Sequence, residues 1–287
     1  MKTHLDCVPC FVRQALGASK LVSADSRIHE QMLRDILYYM SKMDFNQPAP
    51  VTGQYIHRRL RLLSESEDPY ESMKKTQNDM AKRLLEEMRE KIDSAADPMM
   101  MALKLSIAGN VIDVATNGEV EESALRSIIS EAIKEPLIGE LGSFLRSLSE
   151  AQRILFITDN AGEIVFDRLL IEKIGPERIT VAVRGLPVIN DATIEDARAA
   201  GLNEIVQIVD TGCDLPGVIV EGSAAAFTKC FQNADLIIAK GQGNYETLSE
   251  HPEKIYFLLR VKCHVIAEDI GMPLGAHVVT RSRRATA

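Results

Sequence analysis

Apolar positions follow two rhythms along the chain, and the change falls near residue 150. Before it they recur at mixed three- and four-residue spacing, as in Ile28, Met32, Ile36 and Met40, which is the period of an amphipathic helix. The pattern predicts helices over 11–21, 26–43 and 53–63, interrupted by the breaker run Asn46-Gln47-Pro48-Ala49-Pro50. Asp68-Pro69 and Asp97-Pro98 each read as an N-cap followed by proline at the first helical position. Met73, Met80, Leu84, Met88 and Ile92 form the stripe of the first of these helices, and methionines at that spacing read as core filling. The second runs through Met101, Leu103, Leu105 and Ile107 to Gly109-Asn110. Both residues are poor in a helix interior, so they mark either a close approach and kink or a structural glycine with a capping asparagine. A helix over 124–134 follows, and another leads towards residue 153.

Beyond that point short apolar runs alternate with amphipathic segments. Strands are expected at 154–157, 179–183, 204–208, 236–239 and 264–267, with a weaker last one at 278–279. Helices are expected between most of them, at 163–174, 194–200, 223–233 and 252–261. Continuous apolar runs suit strands buried on both faces, and the alternation implies a mostly parallel sheet with right-handed crossovers. The expected fold is therefore α/β, a mostly parallel Rossmann-like sheet flanked by helices and preceded by an all-helical region. The division expected is a helical domain over 1–150, partly lining the pocket, and an α/β domain over 151–287 that carries the binding site.

Composition narrows the function classes. The 287 residues have a formal charge of −8 and a pI near 5.4, which argues against a nucleic-acid or anionic-membrane surface. An anionic substrate would have to meet local positive charge. No apolar run is long enough to span a bilayer, and the first residues lack the apolar core of a signal peptide, so a cytoplasmic protein is the expectation. Five cysteines, without the composition of a small secreted domain, argue against a disulfide framework.

Candidate chemistry sits just after the apolar runs. Asp159 and Asn160 follow the run 154–157, and Ala161-Gly162-Glu163 opens a helix. In open α/β sheets ligands bind beyond the carboxyl ends of strands. The pair could cap that helix, or its hard oxygens beside a helix amino end could hold a divalent cation and a phosphate. Asp191 has the same two readings after the run 179–183, through Arg184-Gly185 and Asn190-Asp191-Ala192-Thr193. Lys240 follows the third run and opens Lys240-Gly241-Gln242-Gly243-Asn244-Tyr245-Glu246, either a solvated glycine-rich turn or a positive charge for phosphate. If these strands are neighbours, Asp159, Asn160 and Asp191 converge as oxygen ligands with Lys240 nearby.

Together these motifs resemble the damage-control phosphatases, the family first catalogued as domain of unknown function 89, over essentially the whole chain. Cys7-Val8-Pro9-Cys10, Ile56-His57-Arg58-Arg59, Asp68-Pro69-Tyr70 and Gly109-Asn110 with Asp113 resemble its archaeal and bacterial branch. The resemblance implies a phosphatase acting on small phosphorylated metabolites with one divalent ion, magnesium, manganese, cobalt or nickel. It implies Asp159, Asn160 and Asp191 as metal ligands and Asp159 and Lys240 as catalytic groups. It also implies a substrate pocket formed by Asn110, Asp113, Gly162, Lys240 and Asn244. Two other readings stay open: a carboxylate methyltransferase, disfavoured by the single Gly162 where a multiple-glycine loop is expected, and a non-catalytic sugar-phosphate or metal-binding protein. Cys7 and Cys10 are two thiols at a helix start, a pocket lining, half of a zinc site that needs other ligands, or a redox pair, although they lack the strand-then-helix setting of a thioredoxin motif. His57-Arg58-Arg59 reads as a salt-bridged helix face or a reach towards substrate.

Overall fold

In a computed structural model that describes residues 1–109 and 122–283, the first half of the chain is a run of helices. They are α1 (Cys7–Val22), α2 (Ser26–Met40), α3 (Ala49–Ser64), α4 (Glu71–Asp93), α5 (Pro98–Ala108) and α6 (Glu122–Ala132). Several starts are set by side chains, Asp25 accepting from the Arg27 amide before α2 and Asp97 from the Met100 amide before α5. Asp68 behaves differently. Its carboxylate accepts from the Tyr70 amide in a turn, so α4 begins at Glu71 and Pro69 stays outside.

Then follow β1 (Leu137–Gly139), α7 (Leu141–Glu150), β2 (Ile154–Ile157), α8 (Glu163–Ile174), β3 (Ile179–Val183) and α9 (Ile194–Ala199). The chain continues with β4 (Gln207–Asp210), α10 (Ala225–Asn233), β5 (Leu236–Lys240), α11 (Gly241–Leu248), β6 (Ile255–Arg260), α12 (His264–Ile270) and β7 (His277–Arg281). The strands form one sheet in the order β1-β7-β6-β5-β2-β3-β4. Every pairing is parallel except β6 with β7. The α/β class is as expected.

Alternate strand residues face two apolar layers. Ile154 and Phe156 of β2 and Leu236 and Ile238 of β5 pack under α4 to α8, while Leu155, Ile157, Ile237 and Ala239 pack under α10 to α12. Each fully buried Ile, Leu or Phe contributes roughly 1.5–3 kcal/mol. The larger layer takes Met80, Leu84, Leu103 and Ile107 into the same cluster as the strands, so the apolar core is continuous from α4 to β7. Helices α1 to α3 meet around a smaller cluster of Phe11, Ala15, Met32, Ile36 and Ile56. Among the described residues no helix is long and apolar enough to cross a membrane.

Several expectations are corrected. The segment 252–261 is not a helix: Ile255–Arg260 is a strand, because Ile255-Tyr256-Phe257-Leu258-Leu259 is buried on both faces between β5 and β7. The strand expected at 264–267 is the start of α12, which ends at Gly271 in a left-handed conformation. The strand expected at 204–208 begins at Gln207, since Leu202–Glu204 closes a short 3-10 turn first. Finally, β1 is a strand that was not expected, ahead of the helix α7 that leads towards residue 153, and 278–279 widens into a five-residue strand.

Candidate active site

β2 carries β3 on one side and β5 on the other, so the connections diverge at its carboxyl end. Past Ile157 the chain keeps its direction for one turn. Thr158 donates to the Ala182 carbonyl, and the Asp159 carbonyl accepts from the Ala192 amide at 2.8 Å. The Ala161 amide donates to Asn190 at 2.8 Å, and Asn160 and Asp191 face each other as an antiparallel bridge. This short ladder between two strand-end loops brings Asp159, Asn160 and Asp191 together.

Their side chains are ordered by neighbours. Asn160 Nδ2 donates to Asp159 Oδ2 at 2.9 Å and to Glu163 Oε2 at 3.3 Å. Arg184 Nε donates to Asp191 Oδ2 at 2.6 Å, an ion pair in which both side chains are buried. Burial pushes the Asp159 carboxyl well above the usual carboxylate range, helped by the charges of Glu163 and Asp191 and opposed by Lys262 and Arg184. Gly241 packs against this carboxylate. With φ of +79°, it occupies a position where an added β-carbon would lie 2.0 Å from Asp159 Oδ2.

Lys240 ends β5 fully buried, at 0% exposure. Its ammonium donates to Glu163 Oε1 and Asp167 Oδ1, both at 2.6 Å, and to the Ser106 carbonyl at 3.0 Å. Burial alone would lower its pKa, but the two carboxylates win and hold it above the ordinary lysine value. Burial pushes Asp167 up to about 6 against the pull of Lys240. The ammonium thus ties α5, α8 and β5 to one another. Asn244 has a similar office: its Nδ2 donates to the carbonyls of Lys240 at 2.7 Å and Thr158 at 3.1 Å, joining the ends of β5 and β2. Its Oδ1 is buried with no partner among the described residues. The Gly162 amide, at the head of α8, donates to Asn78 Oδ1 at 2.8 Å.

Asn110 and Asp113 lie outside the described residues. Gly109 shows the close approach, since a β-carbon there would sit 3.0 Å from the Phe166 ring. The His57-Arg58-Arg59 stretch of α3 is engaged elsewhere. His57 contacts Gln14 and Tyr70, Arg59 pairs with Asp35, and Arg58 joins Arg61 and Gln54 on the buried Asp214. Cys7 and Cys10 are both free thiols in the first turn of α1, and burial raises the Cys7 pKa. A groove of about 800 Å³ opens at the opposite, amino-terminal ends of β2 to β4, where Arg178 is committed to backbone carbonyls and Arg153 to the Asn233 carbonyl and the Asp235 carboxylate.

The residues that reasoning along the chain passed over are Arg184, Glu163 and Asp167. Glu163 and Arg184 stood in quoted motifs and Asp167 lies in the helix expected at 163–174, but which acid a buried cation meets is not written in local spacing. Among the described residues no three His, Cys, Asp or Glu side chains gather to hold a metal. The Asp159, Asn160 and Asp191 set has two carboxylates and one amide. Its chemistry fits a hard divalent ion: oxygen donors, a carboxyl crowded by two other acids, and a glycine cradle that admits no side chain.

Comparison with known proteins agrees with this architecture. A family model described as the damage-control phosphatase ARMT1-like domain matches residues 3–278. A damage-control phosphatase of Archaeoglobus fulgidus is 34% identical over 281 residues, 96% of this chain and 97% of its own. One from Pyrococcus horikoshii is 32% identical over 290 residues and 99% of each chain, and an uncharacterized protein of Methanocaldococcus jannaschii is 35% identical over 98% of this chain and 96% of its own. The crystal structure of a DUF89 family protein from Pyrococcus horikoshii superposes with a TM-score of 0.90 at 32% identity, covering 99% of this chain and 100% of that one. The chain belongs to the damage-control phosphatase ARMT1-like (DUF89) family.

Proposed function

We propose that this protein is a metal-dependent phosphatase that hydrolyses small phosphorylated metabolites, sugar phosphates or damaged cofactor precursors, by attack of water. The observation that carries the reading is the meeting of Asp159, Asn160 and Asp191 at the switch point of the sheet, in a chain of this family. A divalent ion held by these three residues would polarise a phosphoryl oxygen and acidify a water molecule. Arg184 and Asn160 hold the two carboxylates in place by hydrogen bonds. Asp159, crowded by acids, gives up its proton where positive charge lies beside it. α8 and α11 both begin at this edge, and helix amino ends favour an anion.

The test is a phosphate-release screen over a metabolite panel, crossed with magnesium, manganese, cobalt and nickel. Release is expected with at least one of these ions and with none after chelation. Asp191→Ala should lose metal affinity and turnover together, by about a hundredfold or more in rate. Metabolite binding without release under saturating metal would replace the reading with that of a non-catalytic binding protein. A trapped phosphoenzyme on Asp159, seen by mass spectrometry, would replace attack by water with attack by that carboxylate.

A further inference from the structure

α4 joins the apolar layer through Met80, Leu84 and Met88, but its first half buries Lys74, Gln77 and Asn78. Residues at i, i+3 and i+4 lie on one side of a helix, so these three polar side chains share a face. Asparagine is a poor residue inside a helix, and a buried amide costs free energy unless its atoms find partners. Asn78, 3% exposed, finds two. Its Oδ1 accepts from the Gly162 amide and its Nδ2 donates to Asp196 Oδ1, both at 2.8 Å. One partner is an N–H and the other a carboxylate, which leaves a single orientation for the amide plane.

These partners stand on the two sides of the strand-end cluster. Gly162 closes the loop that carries Asp159 and Asn160, with φ of +74°. Asp196 takes the amide and the hydroxyl of Thr193, two residues after Asp191, each at 2.9 Å. Asn78 therefore spans from the loop after β2 to the loop after β3. Beside it, Gln77 accepts from Asn190 Nδ2 at 3.5 Å, a further tie from the same face of α4. The Ala161 amide is held by the Asn190 carbonyl, so the Gly162 amide is the next fixed point before α8 begins. Gly162 is buried, and without Asn78 its N–H would lose this acceptor. A glycine can turn its peptide plane towards another, and the backbone that sets Asn160 and Asp159 would loosen with it.

We propose that Asn78 is a positioning residue of the metal site, acting through Gly162 and Asp196 to hold Asp159, Asn160 and Asp191 at the spacing a divalent ion needs. This rests on the metal-dependent phosphatase reading and deepens it: the helical half of the chain takes part in metal affinity without supplying a ligand from α4. Manganese is the probe, its affinity for the full chain followed by electron paramagnetic resonance. Wild type is compared with three variants. Asn78→Leu keeps the bulk and loses both hydrogen bonds, Asn78→Gln keeps the amide on a longer arm, and Met88→Ala opens the core further along α4. Circular dichroism checks folding, and urea unfolding ranks stability.

Asn78→Leu is expected to weaken manganese binding by about tenfold or more, the usual effect of losing a group that orients metal ligands, and Asn78→Gln by less. Met88→Ala should lose stability and keep its manganese affinity. The manganese needed for half-maximal phosphate release should rise by the same factor as the dissociation constant. Wild-type affinity in Asn78→Leu would overturn the proposal, as would an equal loss in Met88→Ala or no manganese binding by wild type. Should neither Asn78 variant fold, hydrogen exchange of the wild-type protein decides: slowing by manganese at the Gly162 amide but not in α2 supports it, and equal slowing or none rejects it. The parent reading fails separately. Manganese binding that weakens in Asn78→Leu, with no phosphate released from any ester by wild type, sinks the phosphatase reading alone. Phosphate release by wild type with unchanged manganese affinity in Asn78→Leu sinks this proposal alone.

Discussion

Gly241 leaves no room for a β-carbon, since one would lie 2.0 Å from an Asp159 oxygen, and its φ of +79° disfavours any other residue. Gly241→Ala is expected to cost roughly 1–3 kcal/mol from the backbone alone and to push the Asp159 carboxylate away from Asp191. Urea unfolding would read the first effect and manganese titration the second; unaltered manganese affinity would show that the carboxylate has another resting place. Glu246, five residues on, is pushed up to about 7, chiefly by burial, against a hydrogen bond from Gln242 and the nearby Met1 amine. Its folded pKa lies above its ordinary 4.5, so its contribution to stability is complete below that value and is lost as the pH rises through 7. Glu246→Gln should therefore raise the unfolding midpoint at pH 8 and leave it nearly unchanged at pH 4, as thermal scans at the two pH values would show. Asp159 was legible as an acid just behind an apolar run, and Asp191 as one in the loop that follows the next run. The engagements of Lys240 and Arg184 were not, because the carboxylates that neutralise them come from other elements, α8 for the first and the far end of a loop for the second.

Among the elements, two helix starts with similar local signals have different weight. Asp97 caps α5 at the surface, accepting one amide. Asp196, in the capping box with Thr193 at the head of α9, is buried and also receives Lys74 and Asn78 from α4. Asp97→Ala should cost about 1 kcal/mol, and Asp196→Ala about 2–4 kcal/mol, because besides removing a cap it takes the acceptor from buried Asn78 and one of two carboxylates from buried Lys74, which keeps Asp68. Equal losses in urea unfolding would show that the link from α4 to α9 adds nothing. The Asp97 cap was readable because donor and acceptor lie three residues apart, whereas the same signal at Asp68 makes a turn ahead of α4. Strand pairing was not readable, because it depends on distant partners: β1 has only three residues and exists through β7, while Ile255–Arg260 takes its conformation from the strands on either side. A short apolar run reads equally well as helix or strand until its neighbours are known.

For the whole molecule, the change of rhythm near residue 150 announced the α/β class, and the sheet carries it. The apolar core, however, runs without a break from α4 into the strands, with Met80, Leu84, Leu103 and Ile107 against Phe156, Phe166 and Ile238. A single unfolding transition is therefore expected for this layer, with helical circular dichroism and tyrosine fluorescence changing together. A fragment covering 151–287 should fail to fold, since it would uncover one face of β2 and of α8. A folded monomeric fragment would show that the sheet needs only its later helices.

Both borders of the sheet are short, three residues at β1 and four at β4, and Gln207 at the start of β4 is exposed. Few unpaired amides are thus offered to a neighbouring molecule, although the interior strands are strongly apolar. Concentrated solutions should resist cross-chain strand addition until the fold itself opens, and light scattering during slow heating should stay flat up to the unfolding transition.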